Sequence, residues 1–332
     1  MDKGIARIVY KALDGGEITA AEIKKLLGVA WLSEEGFLLQ YASRKMSEAT
    51  ARGKAEVHGQ VGIDIGPCPK NCEYCSFAAK HSVFPAAKVH PLAEIIETCQ
   101  GLEAAGANAV YLMATAAVAL PEYIRYAREV RAALKPETPL VANIDDFDEE
   151  GAKALRKAGI AGIYHCVRIG EGKVTAIDPQ VRVRTIKAAK KAGLLLGTSV
   201  GPVGPEHSVE EVAATTVLTR ELKPVNNAAC RRINIPGLPL SAHGSVSYAR
   251  MAHILAVVRL ANGYDIIGFG THEPNGMGAM AGANLFWAER GANPRDTSEA
   301  TVRGWTVEQA RALLEEAGWE ALTGPSVMFG GR

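Results

Sequence analysis

The chain has 332 residues, of which 48% are hydrophobic, and its 37 basic and 36 acidic side chains give a net charge of +1. A chain of this size can bury a large core. The balanced charge argues against nucleic acid and against an anionic membrane surface as partners. Because no apolar run is long enough to span a bilayer and no charged start leads into one, we expect a cytoplasmic protein that acts on a small molecule or a protein.

The first 55 residues are predicted to be helical. Thr19 and Glu22 have the spacing of a capping box, in which each side chain bonds the other residue's backbone N–H, and this pattern starts a helix over residues 22–27. A second helix is predicted over Glu34–Ala51. These helices carry too few apolar residues for a core of their own, so we expect residues 1–55 to form a helical cap on a domain of residues 56–332.

From residue 59 onward, short runs rich in Val and Ile alternate with longer amphipathic stretches. This alternation predicts parallel strands that are joined by crossover helices. Eight strands are predicted, over residues 60–65, 109–114, 140–144, 162–167, 194–200, 231–235, 265–269 and 283–287. Helices are predicted at residues 92–104, 121–134, 149–157, 181–191, 209–221, 245–261, 277–281 and 306–316.

Glycines at the predicted boundaries support this order. Gly106, Gly159 and Gly193 each follow a predicted helix, where a left-handed residue ends the helix before the next strand. We therefore predict an α/β fold, a complete (β/α)8 TIM-type barrel with an N-terminal helical extension and a C-terminal helix, whose site lies at the carboxyl ends of the strands. A doubly wound open sheet is the alternative, but no glycine-rich dinucleotide fingerprint follows the first strand.

The sequence Ala-Gly-Ala-Asn occurs at residues 105–108 and again at residues 281–284. In both cases it lies directly before a predicted strand. Chance and a trace of repeated units both remain open as explanations.

Three of the six cysteines, Cys68, Cys72 and Cys75, lie within eight residues, directly after the first predicted strand. Thiols this crowded do not spread across a long chain as disulfide staples, which favours a metal site in a reducing compartment. A structural zinc site usually takes four protein ligands, and His81 is the nearest further Cys or His. Three thiolates suit a four-iron cluster with one open iron.

The spacing Cys-x3-Cys-x2-Cys, the aromatic Tyr74 before the last cysteine and the position after the first strand resemble the signature of the radical S-adenosylmethionine (SAM) superfamily. The resemblance implies that Cys68, Cys72 and Cys75 bind a 4Fe-4S cluster, whose open iron chelates SAM. Reductive cleavage of SAM then yields methionine and a 5'-deoxyadenosyl radical, with the electron supplied by a donor such as ferredoxin or flavodoxin. Tyr74 is expected to lie along the adenine.

Residues from about 55 to 320 resemble the subgroup that contains biotin synthase, the iron-only hydrogenase maturase HydE and methylornithine synthase. This resemblance implies that Arg182 binds the SAM carboxylate and that the backbone of Asn234 and Ile235 contacts adenine. Thr115 lies where the subgroup has a segment that binds the SAM amine. The segment here lacks its acidic residue, so backbone contacts are expected to serve.

The residues that align with the ligands of the second cluster in biotin synthase are Tyr111, Asn143, Gly197 and His272. None of them is a cysteine, which argues against dethiobiotin sulfuration by that route and leaves open whether an auxiliary iron–sulfur cluster is present. Cys166 and Arg168 replace residues that contact SAM and substrate in that enzyme. We therefore expect the pocket to accept a different substrate.

The predicted substrate-binding residues all lie near carboxyl ends of strands: Asn143, Asp145, His165, Arg168 and His272. Arg168 and His272 are also candidates for catalysis, together with Cys166. Arg168 suits a substrate carboxylate or phosphate, and Cys166 could donate a hydrogen atom or carry a sulfur intermediate.

Each of these residues has a structural alternative. Arg168 could pair with Glu171 or Asp145, and Cys166 could be a small buried hydrophobe. A lone histidine more often has a satisfied structural role, although His165 and His272 could also ligate an extra metal with Cys166.

The two remaining cysteines are interpreted as structural. Cys99 lies on a predicted helix. Cys230 lies at the amino end of the predicted sixth strand, which would place it far from the site.

The sequence is therefore identified as a biotin synthase-like radical SAM enzyme, of transferase or mutase/lyase type, that abstracts hydrogen from a small, carboxylate- or phosphate-bearing substrate. Sulfur insertion of the biotin or lipoyl type, with an unusual auxiliary cluster, is the first alternative. A metal-cofactor maturase or scaffold that delivers a ligand to a client protein is the second. A zinc or iron–sulfur binding module without catalysis is the third.

Overall fold

The computed structural model describes residues 1–291 and 293–330 and contains twelve strands, most of them in one parallel sheet. The strands are β1 (Lys54–Gly62), β2 (Asp64–Ile65), β3 (Lys88–Val89), β4 (Ala109–Met113), β5 (Leu140–Asn143), β6 (Ile160–Tyr164), β7 (Leu195–Gly197), β8 (Val200–Val203), β9 (Asn226–Arg231), β10 (Gly268–Gly270), β11 (Leu285–Arg290) and β12 (Glu320–Ala321).

Eight strands close into a ring in the order β1, β4, β5, β6, β7, β9, β10 and β11, with β11 paired to β1. Every neighbouring pair in the ring is parallel. A closed ring has no open edge, so the doubly wound alternative is wrong. The predicted (β/α)8 barrel is confirmed.

Within the described residues, eleven α-helices surround the barrel or cap it. They are α1 (Lys3–Leu13), α2 (Ala20–Leu27), α3 (Glu34–Ala51), α4 (Leu92–Ala104), α5 (Leu120–Ala133), α6 (Glu149–Lys157), α7 (Pro179–Lys191), α8 (Val209–Glu221), α9 (Tyr248–Asn262), α10 (Gly276–Met280) and α11 (Val307–Glu316). The predicted capping box that starts α2 is present, and α8 starts with a second one at Ser208 and Glu211. Gly106, Gly159 and Gly193 have φ values of 93°, 87° and 80°, as their positions before strands predicted.

The helices α1, α2 and α3 pack on the barrel through α9. Buried Arg259 of α9 shows how close this contact is, because its Nε donates to Ser47 Oγ of α3 at 2.8 Å. In the described residues, no helix combines the length and the apolar composition that crossing a membrane requires.

The sixth barrel strand lies earlier than predicted. The apolar run that begins at Ile233 indicated a strand over residues 231–235, whereas β9 spans Asn226–Arg231. Its sequence is rich in Asn and Ala, which are poor strand formers. Burial at the barrel interior keeps it in the sheet, and the shift moves Cys230 to the carboxyl end of the strand.

The repeated Ala-Gly-Ala-Asn sequence has the same structural role at both sites. Asn108 Oδ1 accepts a hydrogen bond from Val57 N–H, and Asn284 Oδ1 accepts one from Phe269 N–H, each at 2.8 Å. Both side chains thus tie neighbouring strands together at the amino end of the barrel. Beneath them, the C-terminal residues Met328 and Phe329 are buried and close this end.

Candidate functional site

A cavity of about 300 Å³ lies at the carboxyl ends of the barrel strands. It is lined by twelve of the site residues that the sequence predicted, namely Cys68, Cys72, Tyr74, Cys75, Thr115, Asn143, Asp145, His165, Cys166, Arg168, Arg182 and His272. Parallel strands bring their carboxyl ends to one rim, which is why residues far apart in sequence meet here.

Two predicted cofactor contacts lie outside this lining. Asn234 and Ile235 follow β9 in a loop, and Ile233 is the residue of this segment that lines the cavity. Their expected contact with adenine assumed a strand over residues 231–235. It therefore stays a prediction.

The loop with three cysteines, called here the cluster loop (residues 66–77), is fixed by backbone hydrogen bonds. Cys68 N–H donates to Phe77 O at 2.6 Å and Glu73 N–H donates to Val174 O at 2.9 Å. Lys70 also forms an ion pair with Asp145 at the end of β5, at 2.9 Å. These contacts hold the loop to the segments after β5 and β6, so its thiols have a defined position over the cavity.

None of the three thiols forms a disulfide bond. Burial raises the pKa of Cys72, and it raises the pKa of Cys75 to about 12, with the neighbouring Cys72 adding to the effect. Both side chains are therefore thiols at neutral pH unless a metal displaces their protons. His81, the nearest histidine, is at hydrogen-bonding distance from the carbonyl oxygen of Cys72, at 3.3 Å.

In the described part of the chain, no three His, Cys, Asp or Glu side chains converge on a point where they could hold one metal ion. A four-iron cluster does not need such convergence, because each thiolate binds a different iron. Three thiols on one fixed loop, facing a cavity and without disulfide partners, fit that group. Cys68, Cys72 and Cys75 would hold it.

Arg168 has a guanidinium group without an ion-pair partner among the described residues. Glu171 instead accepts a hydrogen bond from the backbone N–H of Arg168 at 2.8 Å, and Asp145 pairs with Lys70. Burial would lower the pKa of Arg168, but Tyr74, Cys166 and Glu171 nearby raise it well above its ordinary value. The cavity therefore contains a permanent cation without an ion-pair partner among the described residues, and the alternative salt bridge of Arg168 with Glu171 or Asp145 does not form.

Arg182 lies on α7 and meets two other polar side chains. Its Nη1 is 2.9 Å from His165 Nε2 and 3.5 Å from Asp146 Oδ1, and His165 Nε2 is 3.0 Å from the same carboxylate oxygen. Burial lowers the pKa of His165 to about 4, although Asp146 opposes the shift. The imidazole is thus neutral, and its Nε2 either donates to Asp146 or accepts from Arg182.

Asp64 is a site residue that the sequence interpretation missed. Its Oδ1 accepts from Thr115 N–H at 2.8 Å and its Oδ2 accepts from the Thr115 hydroxyl at 2.5 Å. The carboxylate lines the cavity, and burial raises its pKa. It lies beside the segment that seemed to lack an acidic residue. Sequence alone gave no signal, because Asp64 and Thr115 are 51 residues apart and meet only through the pairing of β1 with β4.

Four further residues that line the cavity, Cys166, Arg168, Cys230 and His272, are called here the far wall. Cys230 was interpreted as distant, but it lines the cavity because β9 starts earlier than predicted. Cys166 Sγ lies 3.3 Å from Ser199 Oγ, which also accepts a hydrogen bond from Tyr164 Oη at 3.0 Å.

His272 stacks on Trp287, with ring centroids 4.5 Å apart and an interplanar angle of 7°. Its pKa lies well below the ordinary value because the ring is buried and Arg295 is near. Arg295 is held by Glu289 in two hydrogen bonds of 2.7 and 2.6 Å. His272 is therefore a neutral ring that faces the cavity and can accept or donate one hydrogen bond.

The segment after β11 is hydrogen-bonded to the cluster loop. Ser76, which follows Cys75 directly, donates from its backbone N–H and its hydroxyl to Pro294 O at 3.0 and 2.9 Å. Pro294 and Arg295 both line the cavity. The last strand–helix connection thus contributes to the same site as the first.

A family model described as the radical SAM superfamily matches residues 65–218, which include the cluster loop, Arg168 and Arg182. The chain carries a radical SAM domain. This superfamily binds a 4Fe-4S cluster and SAM, in agreement with the three free thiols on the cavity rim.

Curated proteins that are similar to this chain include biotin synthases. The enzyme of Carboxydothermus hydrogenoformans is 25% identical over 201 residues, which cover 57% of this chain and 61% of the relative. That of a Picosynechococcus species is 24% identical over 338 residues, which cover 95% of this chain and 88% of the relative. These similarities support a biotin synthase-like subgroup.

Two solved structures share the barrel fold. The FeFe-hydrogenase maturase HydG from Carboxydothermus hydrogenoformans superposes with a TM-score of 0.81 at 17% identity, over 99% of this chain and 81% of that chain. Methylornithine synthase (PylB) superposes with a TM-score of 0.78 at 17% identity, over 97% of this chain and 98% of that chain. At these identities the likeness concerns the fold alone.

Proposed function

We propose that this protein is a radical SAM enzyme whose substrate is a small molecule with a carboxylate or phosphate group. The observation that carries the proposal is the unpaired guanidinium of Arg168 in the same cavity as the three free thiols of the cluster loop. A charge that is partly shielded from water and has no partner is costly, so a site that keeps one has a use for it. An anionic group of the substrate supplies the missing partner.

When bound, the cluster and SAM supply a carbon-centred radical that removes a hydrogen atom from the substrate. The side chains of this protein position the reactants. Arg182 would bind the SAM carboxylate with the edge of its guanidinium that His165 does not occupy. Asp64 and the backbone near Thr115 would hold the SAM amine, which replaces the acid that the subgroup carries after its second strand.

The cavity also protects the reaction. The backbone contacts of the cluster loop and the hydrogen bonds from Ser76 to Pro294 hold the thiols at the rim of the cavity. Exclusion of water prevents a reactive radical from being consumed by side reactions. Neutral His165 and His272 would contact the substrate as hydrogen-bonding groups without adding charge.

Stimulation of 5'-deoxyadenosine formation by small acids tests this proposal. The anaerobically reconstituted protein is incubated with SAM, dithionite and a panel of amino acids, dicarboxylates and phosphate esters, each beside its uncharged amide or alcohol. At least one anionic compound should raise the rate above that without substrate, and Arg168→Met should remove this stimulation. Equal stimulation by an acid and its neutral partner would contradict the assignment of Arg168.

Sulfur insertion is a second candidate, because two cysteines outside the cluster loop line the cavity and the relatives are biotin synthases. It would need a source of sulfur, such as an auxiliary cluster. Tyr111 is buried beneath the cavity and does not line it, and neither does Gly197. An iron content well above four per chain, with matching sulfide, would favour this function; about four iron atoms would favour the first.

A further inference from the structure

Two thiols on the far wall have no place in the cluster loop. Cys166 follows β6 and Cys230 lies in β9, and both face the same cavity as Cys68, Cys72 and Cys75. They are 2% and 8% exposed. Burial raises the pKa of Cys230 to about 12, so this side chain keeps its proton.

The surroundings of Cys166 differ from those of a small hydrophobe in a packed core. Its Sγ is 3.3 Å from Ser199 Oγ, and the hydroxyl of Tyr164 donates to the same oxygen at 3.0 Å. Cys166, Ser199 and Tyr164 all line the cavity, so this pair of contacts holds the sulfur at the cavity wall.

The position of Cys166 relative to the cluster loop can be judged from Arg168. The thiols of Cys166 and Cys72 and the phenol of Tyr74 all lie near enough to this guanidinium to influence it electrostatically. Cys166 and the cluster loop therefore border the same guanidinium and line the same cavity. A radical that forms beside the cluster loop forms in that cavity.

Two buried arginines indicate that a polar ligand binds in this cavity. Arg182 and Arg232, which are 7% and 2% exposed, both line it, and the Nε of each is buried without a hydrogen-bond partner in the described residues. Buried donors of this kind are normally satisfied. A ligand with several acceptor atoms would satisfy them and would occupy the cavity that Cys166 also lines.

On this basis, and resting on the proposed function, we propose that Cys166 is a hydrogen-atom donor to the carbon radical held in this cavity. The S–H bond of Cys166 breaks homolytically, its hydrogen atom forms a C–H bond at the radical carbon, and Cys166 becomes a thiyl radical. One electron from the low-potential donor that also reduces the cluster, with one proton from solvent, restores the thiol. The S–H bond is weaker than an aliphatic C–H bond, so the transfer is downhill.

Ser199 cannot replace Cys166 in this step, because an O–H bond is too strong to give a hydrogen atom to a carbon radical. Cys230 belongs to the same wall but lies beside the backbone N–H of His272. It serves as the matched control. Cys166→Ser keeps the size and the hydrogen bond to Ser199 and removes only the weak bond to hydrogen.

Isotope transfer tests the proposal without knowledge of the substrate, because without a substrate the carbon radical that remains in the cavity is the 5'-deoxyadenosyl radical itself. The reconstituted protein is incubated in D2O with SAM and dithionite, where thiols carry deuterium, and the 5'-deoxyadenosine is analysed by mass spectrometry. We expect one deuterium in the product from the wild type and from Cys230→Ser, and background labelling from Cys166→Ser. If Cys166→Ser does not fold, Cys166→Ala replaces it.

Alkylation gives a second measurement that does not depend on turnover. The holoenzyme is treated with iodoacetamide, with and without S-adenosyl-L-homocysteine, and its peptides are mapped. The ligand should slow modification of Cys166 and leave Cys99, which is outside the cavity lining, unchanged.

The outcomes separate this inference from the proposed function. Unlabelled 5'-deoxyadenosine from the wild type, equal labelling in Cys166→Ser, or no protection by the ligand would overturn the role of Cys166 alone. A wild-type protein with a full cluster that forms no 5'-deoxyadenosine would overturn the proposed function, and the role of Cys166 with it.

Discussion

The cluster loop and the far wall enclose one cavity, but their polar groups are held differently. In the cluster loop, the backbone and Lys70 are bound by neighbouring segments on several sides. On the far wall, Arg168 has no ion-pair partner among the described residues, and Cys166 has a single polar contact with Ser199. The cluster loop is therefore held in one position, whereas the far wall has polar groups that are free to bind a ligand.

Removal of one thiol of the cluster loop should have the largest effect, because it should abolish iron binding. Cys72→Ala leaves two thiolates where three are needed, so we expect the protein to lose its iron and its visible absorbance. The wild type should contain about four iron atoms per chain. Cys99→Ala removes a buried thiol of α4 outside the cavity lining and should keep the iron. A full iron content in Cys72→Ala would show that the loop does not bind the cluster.

Two arginine variants should differ in their effect on the free energy of unfolding. Arg182→Met leaves the Asp146 carboxylate with fewer partners and should lower the free energy of unfolding by about 2–3 kcal/mol. Arg168→Met removes an unpaired cation and should leave the free energy of unfolding unchanged or raise it by up to about 1 kcal/mol. Thermal unfolding of both reconstituted variants measures the difference. A large destabilisation by Arg168→Met would reveal a structural partner.

The neutral His165 should make stability depend on pH. Its pKa in the folded protein is about 4, below the ordinary value of about 6.5 in an unfolded chain. The contribution of His165 to the free energy of unfolding is therefore fully present above pH 6.5. It is lost as the pH falls toward 4, because the unfolded state then binds the proton more readily than the folded state. Between pH 8 and pH 5 the loss should be about 2 kcal/mol.

Denaturant unfolding at several pH values measures this dependence, and His165→Gln should flatten it. His253 is also buried, with a pKa lowered to about 4 mainly by burial, and it lies outside the cavity lining. His253→Gln should remove a separate part of the slope. If His165→Gln leaves the slope unchanged, His165 is not buried in its neutral form.

The smallest effect is expected at Asp64. Asp64→Asn keeps the size of the side chain but removes the charge that would face the SAM amine. Because one charge-assisted hydrogen bond is lost, SAM should bind about tenfold more weakly. Equilibrium binding of SAM to the reconstituted protein measures it. Glu73→Gln changes a carboxylate of the cluster loop that is not in the cavity lining and serves as the control. Equal affinities for wild type and Asp64→Asn would rule out Asp64 as the amine partner.

The sequence predicted the barrel and the cluster loop because both are local patterns. The helix over Glu34–Ala51 and the glycines before strands follow from short-range rules, and three cysteines in eight residues are visible without a structure. The strand β9 was displaced, because an Asn- and Ala-rich segment has no apolar signal and is kept in the sheet by burial alone.

That displacement explains why Cys230 was overlooked. Asp64 was missed for a different reason. Its contact with Thr115 joins β2 to the loop after β4, and no sequence pattern predicts that contact. The pairing of Asp145 with Lys70 and the isolation of Arg168 also depend on tertiary positions. The far wall could therefore be named from the sequence as a set of residues, but its unpaired charge could not.

The most direct test of the central claim is reductive cleavage of SAM without added substrate. The anaerobically reconstituted wild type, Cys166→Ala and Cys72→Ala are incubated with SAM and dithionite, and 5'-deoxyadenosine is quantified. If the cluster loop generates the radical and the far wall governs only the later fate of that radical, the wild type and Cys166→Ala should both form 5'-deoxyadenosine, and Cys72→Ala should form none. A wild-type protein with about four iron atoms and no 5'-deoxyadenosine, or activity that survives in Cys72→Ala, would contradict it.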